Sequence, residues 1–436
     1  MNTAVSTLAE YARANPRSRA AHERALGFFP SGLTHDVRRQ EPFPLCVARA
    51  EGAFKWDLDG HRLVDYVMGH GALVAGHSHP AVVAALRAEA GTALHLGAST
   101  PQEAEWAERI IALVPSAERV RFTSSGTEAT LLALRVARGY TARTRVVKLA
   151  GHFHGWHDDA SPGVSLPVDR EPPKGSPPNP DLTVVDPFAA GALEAELARG
   201  DVACVILEPT GAAWGAVPLA PAHVARIAAA ARAHGALVVF DEVVTGFRWS
   251  PGGAQALIGV TPDLTALAKV LAGGLPGGAV AGREEVMDVL AFHPERAKVE
   301  HPGTHNAHPL AAVAGSATLD LLADGTALAA TDAVAAELRE ALCAAFAARS
   351  TPGYAYGQAS TFCLIFADRT DDPVALKQGV REPLASALQC AMLLEGVHLF
   401  HGAGLLSTAH GADELELAAR AFPRALERLQ DEGLIP

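Results

Sequence analysis

ALVVFDEVVTGFRWSPGGAQALIGVTPDLTALAKVLAGGLPGG, residues 236–278, contains two short apolar runs, ALVVF (236–240) and LTAL (264–267), each followed within a residue or two by a charged side chain. Apolar runs of this length, bounded by Gly, Pro and acidic residues, read as strands buried on both faces of a parallel sheet. Working outward, RVRF in the 118–122 region, RVVKL (145–149) and VACVIL (202–207) have the same texture. Between and around them lie longer stretches, 81–95, 102–114, 127–140, 221–234 and 307–323, in which apolar residues return every three or four positions, the period of a helix with one buried face. Strands alternating with helices predict an α/β fold, a mostly parallel sheet covered by helices.

The flanks read differently. Beyond residue 325 come two long Ala/Leu/Glu/Arg helices (331–349 and 411–432), a strand-like TFCLIF (361–366) and a helix over 383–396, a smaller α+β domain. The first 65 residues read as one helix over about 3–27, a loop, and the hairpin FKWDLDGHRLVDY (54–66) turning at its Asp-Gly pair. This segment is expected to pack with the C-terminal part. The predicted division is 1–65, 66–325 and 326–436, with the small domain built from both termini.

Composition limits the function classes. At about 100–200 residues per domain, 436 residues allow two or three domains. With 49% hydrophobic and 19% charged residues the chain is too apolar for disorder, yet no apolar run approaches the roughly 18–20 residues of a membrane span. The net charge is −12 and the Lys and Arg residues are scattered, which argues against nucleic acid or an anionic membrane as partner. Cys46, Cys204, Cys343, Cys363 and Cys390 lie far apart without a CxxC pair, so neither a zinc ribbon nor a disulfide framework is expected, and a reducing cytoplasm is the default location. The N-terminus has no basic-then-apolar signal pattern, and Glu10 and Glu23 weaken a transit-peptide reading.

Three local features carry chemistry. TSSGTEA (123–129) follows a strand and opens a helix, where free N–H groups, hydroxyls and a glycine can cradle an anion; Ser125 or Thr127 could equally be an ordinary helix cap. Asp241 emerges at the carboxyl end of ALVVF, the edge at which open α/β sheets bind ligands, although a solvated loop acid has the same address. Lys269, 28 residues later, sits between an apolar strand and a Gly-rich turn. There its amine is a candidate for desolvation and Schiff-base chemistry, against the reading of an ordinary surface lysine. Together they supply what pyridoxal 5'-phosphate needs: a phosphate anchor, a partner for the ring nitrogen and an amine for the aldehyde.

Eight motifs in order, GLTHDVR (32–38), GHSHP (76–80), TSSGTEA, GHFHGWHD (151–158), EPTGAAWG (208–215), DEVVTGFR (241–248), LAKVLAGGLPGG (267–278) and GTHNAHP (303–309), resemble the class III, fold-type I pyridoxal-phosphate aminotransferases over nearly the whole chain. The subgroup is that of glutamate-1-semialdehyde aminomutase. Within it, GHGALVAGHSHP, TSSGTEATLLALRVAR and AKVLAGGLPGG are most similar to the D-phenylglycine aminotransferases. The resemblance implies that Ser125, Gly126 and Thr127 hold the phosphate, Phe153 and Val243 cover the two ring faces, Asp241 pairs with the ring nitrogen, and Lys269 is the Schiff-base lysine. It implies that Thr304 reaches the phosphate of a neighbouring subunit, hence a homodimer with shared sites. The activity it implies is ping-pong transfer of an amino group from a small amino acid, including an aromatic D-amino acid such as D-phenylglycine, to a 2-oxo acid.

Departures qualify this. The aminomutase pattern carries Pro-Ser-x-Phe-Glu before a C-terminal Ser-x-x-His, whereas this chain reads HLFHGAGLLSTAH (398–410) without the Glu, and Ala213 stands where the mutase has an Asn. Both favour an ordinary aminotransferase over the 2,1-aminomutase; the same motifs are also compatible with a β-amino-acid aminotransferase and with a catalytically silent cofactor-binding protein. The motif's usual Asn-Pro is His308-Pro309. Arg38 falls where the mutase places an arginine and is the candidate for a bidentate grip on the substrate carboxylate, or else a solvated loop residue. His152, His154 and His157 with Asp158 and Asp159 could be taken for a metal cluster, which would make the chain a metal-dependent hydrolase, but the family pattern accounts for this segment without metal. His70, His77 and His79 shape either a pocket or a turn.

Overall fold

The structure is a computed structural model and describes residues 6–168 and 174–436. The chain forms two compact units. One comprises Met1–His79, Ala329–Asp371 and Gln378–Pro436, the other Pro80–Leu328 and Asp372–Lys377.

The second unit is built on seven strands: β1 (Arg119–Thr123), β2 (Arg145–Leu149), β3 (Leu182–Val185), β4 (Val202–Leu207), β5 (Leu237–Asp241), β6 (Leu264–Ala268) and β7 (Gly278–Gly282). Their order is β1-β7-β6-β5-β4-β2-β3, parallel from β6 to β3, with β7 antiparallel to both its neighbours. Both faces are covered, which is why these strands read as continuous apolar runs. Val146, Cys204, Ile206, Val239 and Ala266 pack with Ala129, Ala133 and Val136 of the helix Gly126–Thr141. Val147, Val205, Leu207, Val238 and Phe240 pack with Val224, Ile227 and Ala231 of the helix Pro221–Ala233. Each fully buried Val, Leu or Ile contributes about 1.5–3 kcal/mol.

Two strands of this seven-stranded sheet have no counterpart in the sequence reading, β3 and β7. The reason at β7, GAVAG, is close backbone approach: a Cβ on Gly278 would lie 2.4 Å from the Ser125 carbonyl oxygen, and one on Gly282 2.7 Å from that of Asp263. Small residues were selected there at the expense of strand propensity.

Register then sets the site. Lys148 pairs with Ile206, and Ile206 with Val239. Side chains alternate with a period of two, so Lys148, Glu208 and Asp241 project from successive strand ends on the face covered by Gly126–Thr141.

In the first unit, Phe54–Asp57 and Arg62–Asp65 form the expected hairpin, its turn holding Gly60 at φ 96°, and Arg62–Asp65 also pairs in parallel with Val397–His398. A second sheet joins Tyr354–Tyr356, Thr361–Ile365 and Ala403–Leu405. Its core contains Phe346, Phe362, Phe422 and Leu426, the last two on the helix Ala412–Asp431. The single helix expected over 3–27 is two, Thr7–Ala14 and Pro16–Ala25. Pro16 has no N–H to donate to a preceding carbonyl and disfavours helical geometry at Asn15 (φ −120°, ψ 54°), so it begins a new helix at N1.

Candidate active site

At the start of the helix Gly126–Thr141, Ser125 is the N-cap: its Oγ accepts the Glu128 N–H at 3.2 Å, and the Glu128 carboxylate accepts the Ser124 N–H at 2.7 Å. Ser125 is thus a side-chain cap of its own helix, and the local cap reading of Ser125 is realised. The N–H groups of Gly126 and Thr127 lie in the first turn, where no intrahelical acceptor exists. Gly126 is required by proximity, since a Cβ would sit 2.9 Å from Val243 Cγ1 and 3.3 Å from Ala268 Cβ. Ser125, Gly126 and Thr127 are thus brought next to Val243 and to the end of β6. Gly155, at φ 100°, brings the loop after β2 against the same turn: its Cβ would lie 2.9 Å from Thr127 Oγ1.

Asp241 ends β5 and is buried. Its Oδ1 accepts the Val243 N–H at 3.0 Å and its Oδ2 lies 2.7 Å from His154 Nδ1. Burial and the Lys148 charge keep His154 neutral, so its Nδ1–H donates to the carboxylate. Burial also pushes the Asp241 carboxyl up to about 6, opposed by the Val243 N–H and by Lys269. Such a carboxylate gains most from a cationic partner. The adjacent Glu242 points the other way and is structural: its carboxylate accepts from Ala254 N, Gln255 N, Gln255 Nε2 and Thr245 Oγ1 at 2.6–3.0 Å.

Lys269 follows β6 at φ 51°, a left-handed conformation that costs a non-glycine residue energy, and opens the short 3-10 turn Lys269–Ala272. It is half-buried; burial pushes its amine down, while Asp241 and Glu208 pull it back up. The Gly-rich turn is dictated by packing: a Cβ on Gly273 would lie 2.5 Å from the Ala314 carbonyl oxygen.

Phe153 is 53% exposed although its neighbours His152 and His154 are buried. The segment carrying it is held by two side chains that the sequence reading did not single out, Glu208 and Thr130, together with its own histidines. Glu208 accepts the N–H groups of Phe153, Ala213 and Trp214 at 2.8–3.2 Å, and His152 Nδ1 accepts the Glu208 N–H at 2.9 Å. Thr130 Oγ1 donates to the His154 carbonyl at 2.6 Å, and His157 Nε2 lies 3.2 Å from the same hydroxyl. The three histidines therefore serve three different partners, and no set of three described His, Cys, Asp or Glu side chains is grouped to hold a metal ion. A lysine inside the apolar run RVVKL was the visible signal for one further member, Lys148, which is fully buried.

Thr304 is exposed, and its carbonyl accepts from His95 Nε2 at 2.6 Å. Arg38 belongs to the first unit, in the turn Asp36–Arg38, where its guanidinium donates to Thr34 Oγ1 at 3.3 Å. In the same unit His77 Nε2 lies 2.7 Å from Asp65, which also pairs with Lys55 at 2.8 Å.

The second unit thus assembles an uncapped pair of helix-start N–H groups, a buried carboxylate, a half-buried amine and an exposed aromatic face. A planar, cationic ring bearing a phosphate and an aldehyde fits this set. The sequence profile described as "Aminotransferase class-III" matches residues 36–353. A glutamate-1-semialdehyde 2,1-aminomutase of Sorangium cellulosum is 38% identical, covering 97% of this chain and 99% of its own. Among solved structures, a β-phenylalanine aminotransferase from Variovorax paradoxus is similar at TM-score 0.87 and 30% identity, over 99% of this chain and 97% of its own. A glutamate-1-semialdehyde aminomutase from Pseudomonas aeruginosa in complex with PMP is similar at TM-score 0.87 and 25% identity, over 97% of each chain.

Proposed function

The chain belongs to the class-III aminotransferases and uses pyridoxal 5'-phosphate, and from that premise we propose that it moves an amino group from a small aryl amino acid, such as D-phenylglycine, to a 2-oxo acid. The observation that carries the transaminase reading is the pairing of a buried, His154-bonded Asp241 with a half-buried Lys269 at adjacent strand ends.

The bound cofactor supplies an aldehyde for the amino group and an electron-withdrawing ring. Asp241, its position fixed by His154 and the Val243 N–H, holds a proton on the ring nitrogen, and that charge pairing stabilises the carboxylate in a buried place. With the cofactor bound, Lys269, with an amine whose basicity burial has lowered, would serve as the base that takes the proton from the donor carbon and as the acid that returns it. Gly126 and Thr127 N–H groups, with hydroxyls of Ser125 and Thr127, take the phosphate. Phe153 and Val243 bracket the ring plane, and Thr304 of a second copy completes the phosphate contact, which makes the working unit a homodimer. A cytoplasmic location accords with five free cysteines.

Two features support transfer between molecules over the internal aminomutase reaction. Ala213 has no side-chain donor at the position of the mutase Asn, and residues 398–410 lack the mutase Glu. The aryl choice is supported by the similarity to a β-phenylalanine aminotransferase. The first unit by itself holds a cavity of about 440 Å³ lined by Arg38, Arg39, His70, Phe400 and His401 among others. Within that cavity ring centroids lie 5.5 Å apart from His70 to Phe400 and 5.5 Å from Phe400 to His401, a wall suited to an aromatic ring, with the guanidinium groups of Arg38 and Arg39 suited to a carboxylate.

The test is an amino-donor panel with both enantiomers of phenylglycine and β-phenylalanine, 2-oxoglutarate as acceptor, beside glutamate-1-semialdehyde alone. Glutamate formed from D-phenylglycine is the expected result. Turnover of the semialdehyde without an acceptor, and of no aryl donor, would overturn the proposal.

A further inference from the structure

The loop after β2 is gripped by two lysines that have no part in the transamination chemistry. Lys377 Nζ donates to the Gly151 carbonyl at 2.6 Å, and Lys148 Nζ donates to the Ala160 carbonyl at 2.6 Å. Lys148 is fully buried and Lys377 half-buried. Among the described residues no carboxylate lies in ion-pair distance of either amine, and each makes its hydrogen bond to a single backbone oxygen; burial pushes Lys148 down to about 7 and Lys377 down as well, while Glu208 favours the charged form of both. A buried ammonium is costly unless its geometry is used.

Those two carbonyls bracket the segment that carries Phe153 and His154. Between them further grips include Glu208 on the Phe153 N–H, Thr130 on the His154 carbonyl and Asp241 on His154 Nδ1, while Arg138 and Asn179 hold Asp159 beside the Ala160 end. Gly151, at φ 82°, leaves the strand in a left-handed turn directly beneath Lys377. Lys377 sits on a six-residue helix, Pro373–Gln378, 226 residues downstream, and Asp372–Lys377 is the one part of that region of the chain which belongs to the second unit.

We propose that Lys377 and Lys148 are positioning residues that clamp the 151–160 loop at its two ends, so that Phe153 presents its ring face and His154 its Nδ1–H to Asp241. The clamp acts through Phe153 and His154 and touches neither substrate nor reacting atoms. It rests on the assignment of Phe153 as the ring-covering residue only for its effect on cofactor retention; the ordering of the loop stands independently.

Hydrogen exchange on the cofactor-free protein tests the ordering, and cofactor loss from the holoenzyme tests its use. In Lys377→Met, amides of 151–160 exchange about ten-fold faster while those of β2, β4 and β5 keep their wild-type rates, the loss expected for one charge-assisted hydrogen bond. The same holoenzyme releases cofactor about ten-fold faster, with kcat reduced more than KM is changed. Wild-type exchange in the loop, or strands accelerated by the same factor as the loop, would overturn the clamp. If Lys377→Met is recovered only as insoluble protein, Lys377→Ala, which also removes the donor, carries the comparison: loop amides that exchange faster than wild type with the strands unchanged support the clamp, and wild-type exchange in the loop contradicts it. Phe153→Ala separates the two readings, because unchanged cofactor release in that variant removes the ring assignment and leaves the loop result intact.

Discussion

Asp241 is buried in a place where its negative charge is poorly repaid by the protein alone. Its carboxyl is held at about 6 against an ordinary value of 3.8, so in the cofactor-free protein ionised Asp241 opposes folding. The sign follows from proton linkage: a carboxyl raised on folding binds protons more readily in the native state, so its penalty is full above about pH 6 and relieved as pH falls toward 4. Cofactor-free Asp241→Asn is therefore more stable than wild type at pH 7.5, and the difference shrinks by roughly 1 kcal/mol by pH 5. Chemical denaturation at the two pH values checks this, and a pH-independent difference would show that the carboxyl is not raised. In the holoenzyme the order reverses, because the ring proton that Asp241 stabilises is lost with the charge.

At the level of elements, the Ser125 cap of the helix Gly126–Thr141 and the glycine that follows it divide the labour. Ser125 Oγ takes the Glu128 N–H and leaves those of Gly126 and Thr127 uncapped, while Gly126 leaves room for Val243. Gly126→Ala inserts a methyl 2.9 Å from Val243 Cγ1; overpacking of this kind costs about 1–3 kcal/mol. Fluorescence titration should show cofactor affinity weaker by about ten-fold with the helix content unchanged, whereas wild-type affinity would mean that Val243 does not line the ring's side of the turn.

The sequence was most legible where one principle acted alone. ALVVF and VACVIL could only be buried strands, and an acid placed directly after one of them pointed to the sheet edge where Asp241 lies. GAVAG was not legible, because backbone contacts with Ser125 and Asp263 chose its residues over strand propensity. The double helix at Pro16 was available from the proline itself and was overridden by the apolar period. Glu208, Thr130 and Lys377 escaped notice for another reason: their partners are backbone atoms of a loop up to 226 residues away, and pairing at that distance leaves no local signature.

At the scale of the whole molecule, a −12 chain binds a phosphate and a substrate carboxylate through a few local donors, so each donor should be felt separately. Thr304 is exposed in the single chain, and several large apolar side chains of the same unit are exposed as well, Leu94 at 62%, Leu96 at 59% and Phe292 at 88%. The proposed homodimer would cover both. If Thr304 completes the partner's site, dimers mixed from Lys269→Ala and Thr304→Ala subunits contain one intact site, and activity appears on mixing two impaired proteins. No recovery after subunit exchange would place Thr304 in its own subunit's site or in none.

The central claim, that Lys269 is the amine through which this chain exchanges amino groups, is tested most directly by the visible spectrum of the purified protein. Wild type is predicted to be yellow, to lose its visible band on addition of an amino donor and to regain it with a 2-oxo acid, while Lys269→Ala shows neither the band nor the cycle. A Lys269→Ala protein that cycles like wild type would contradict the account.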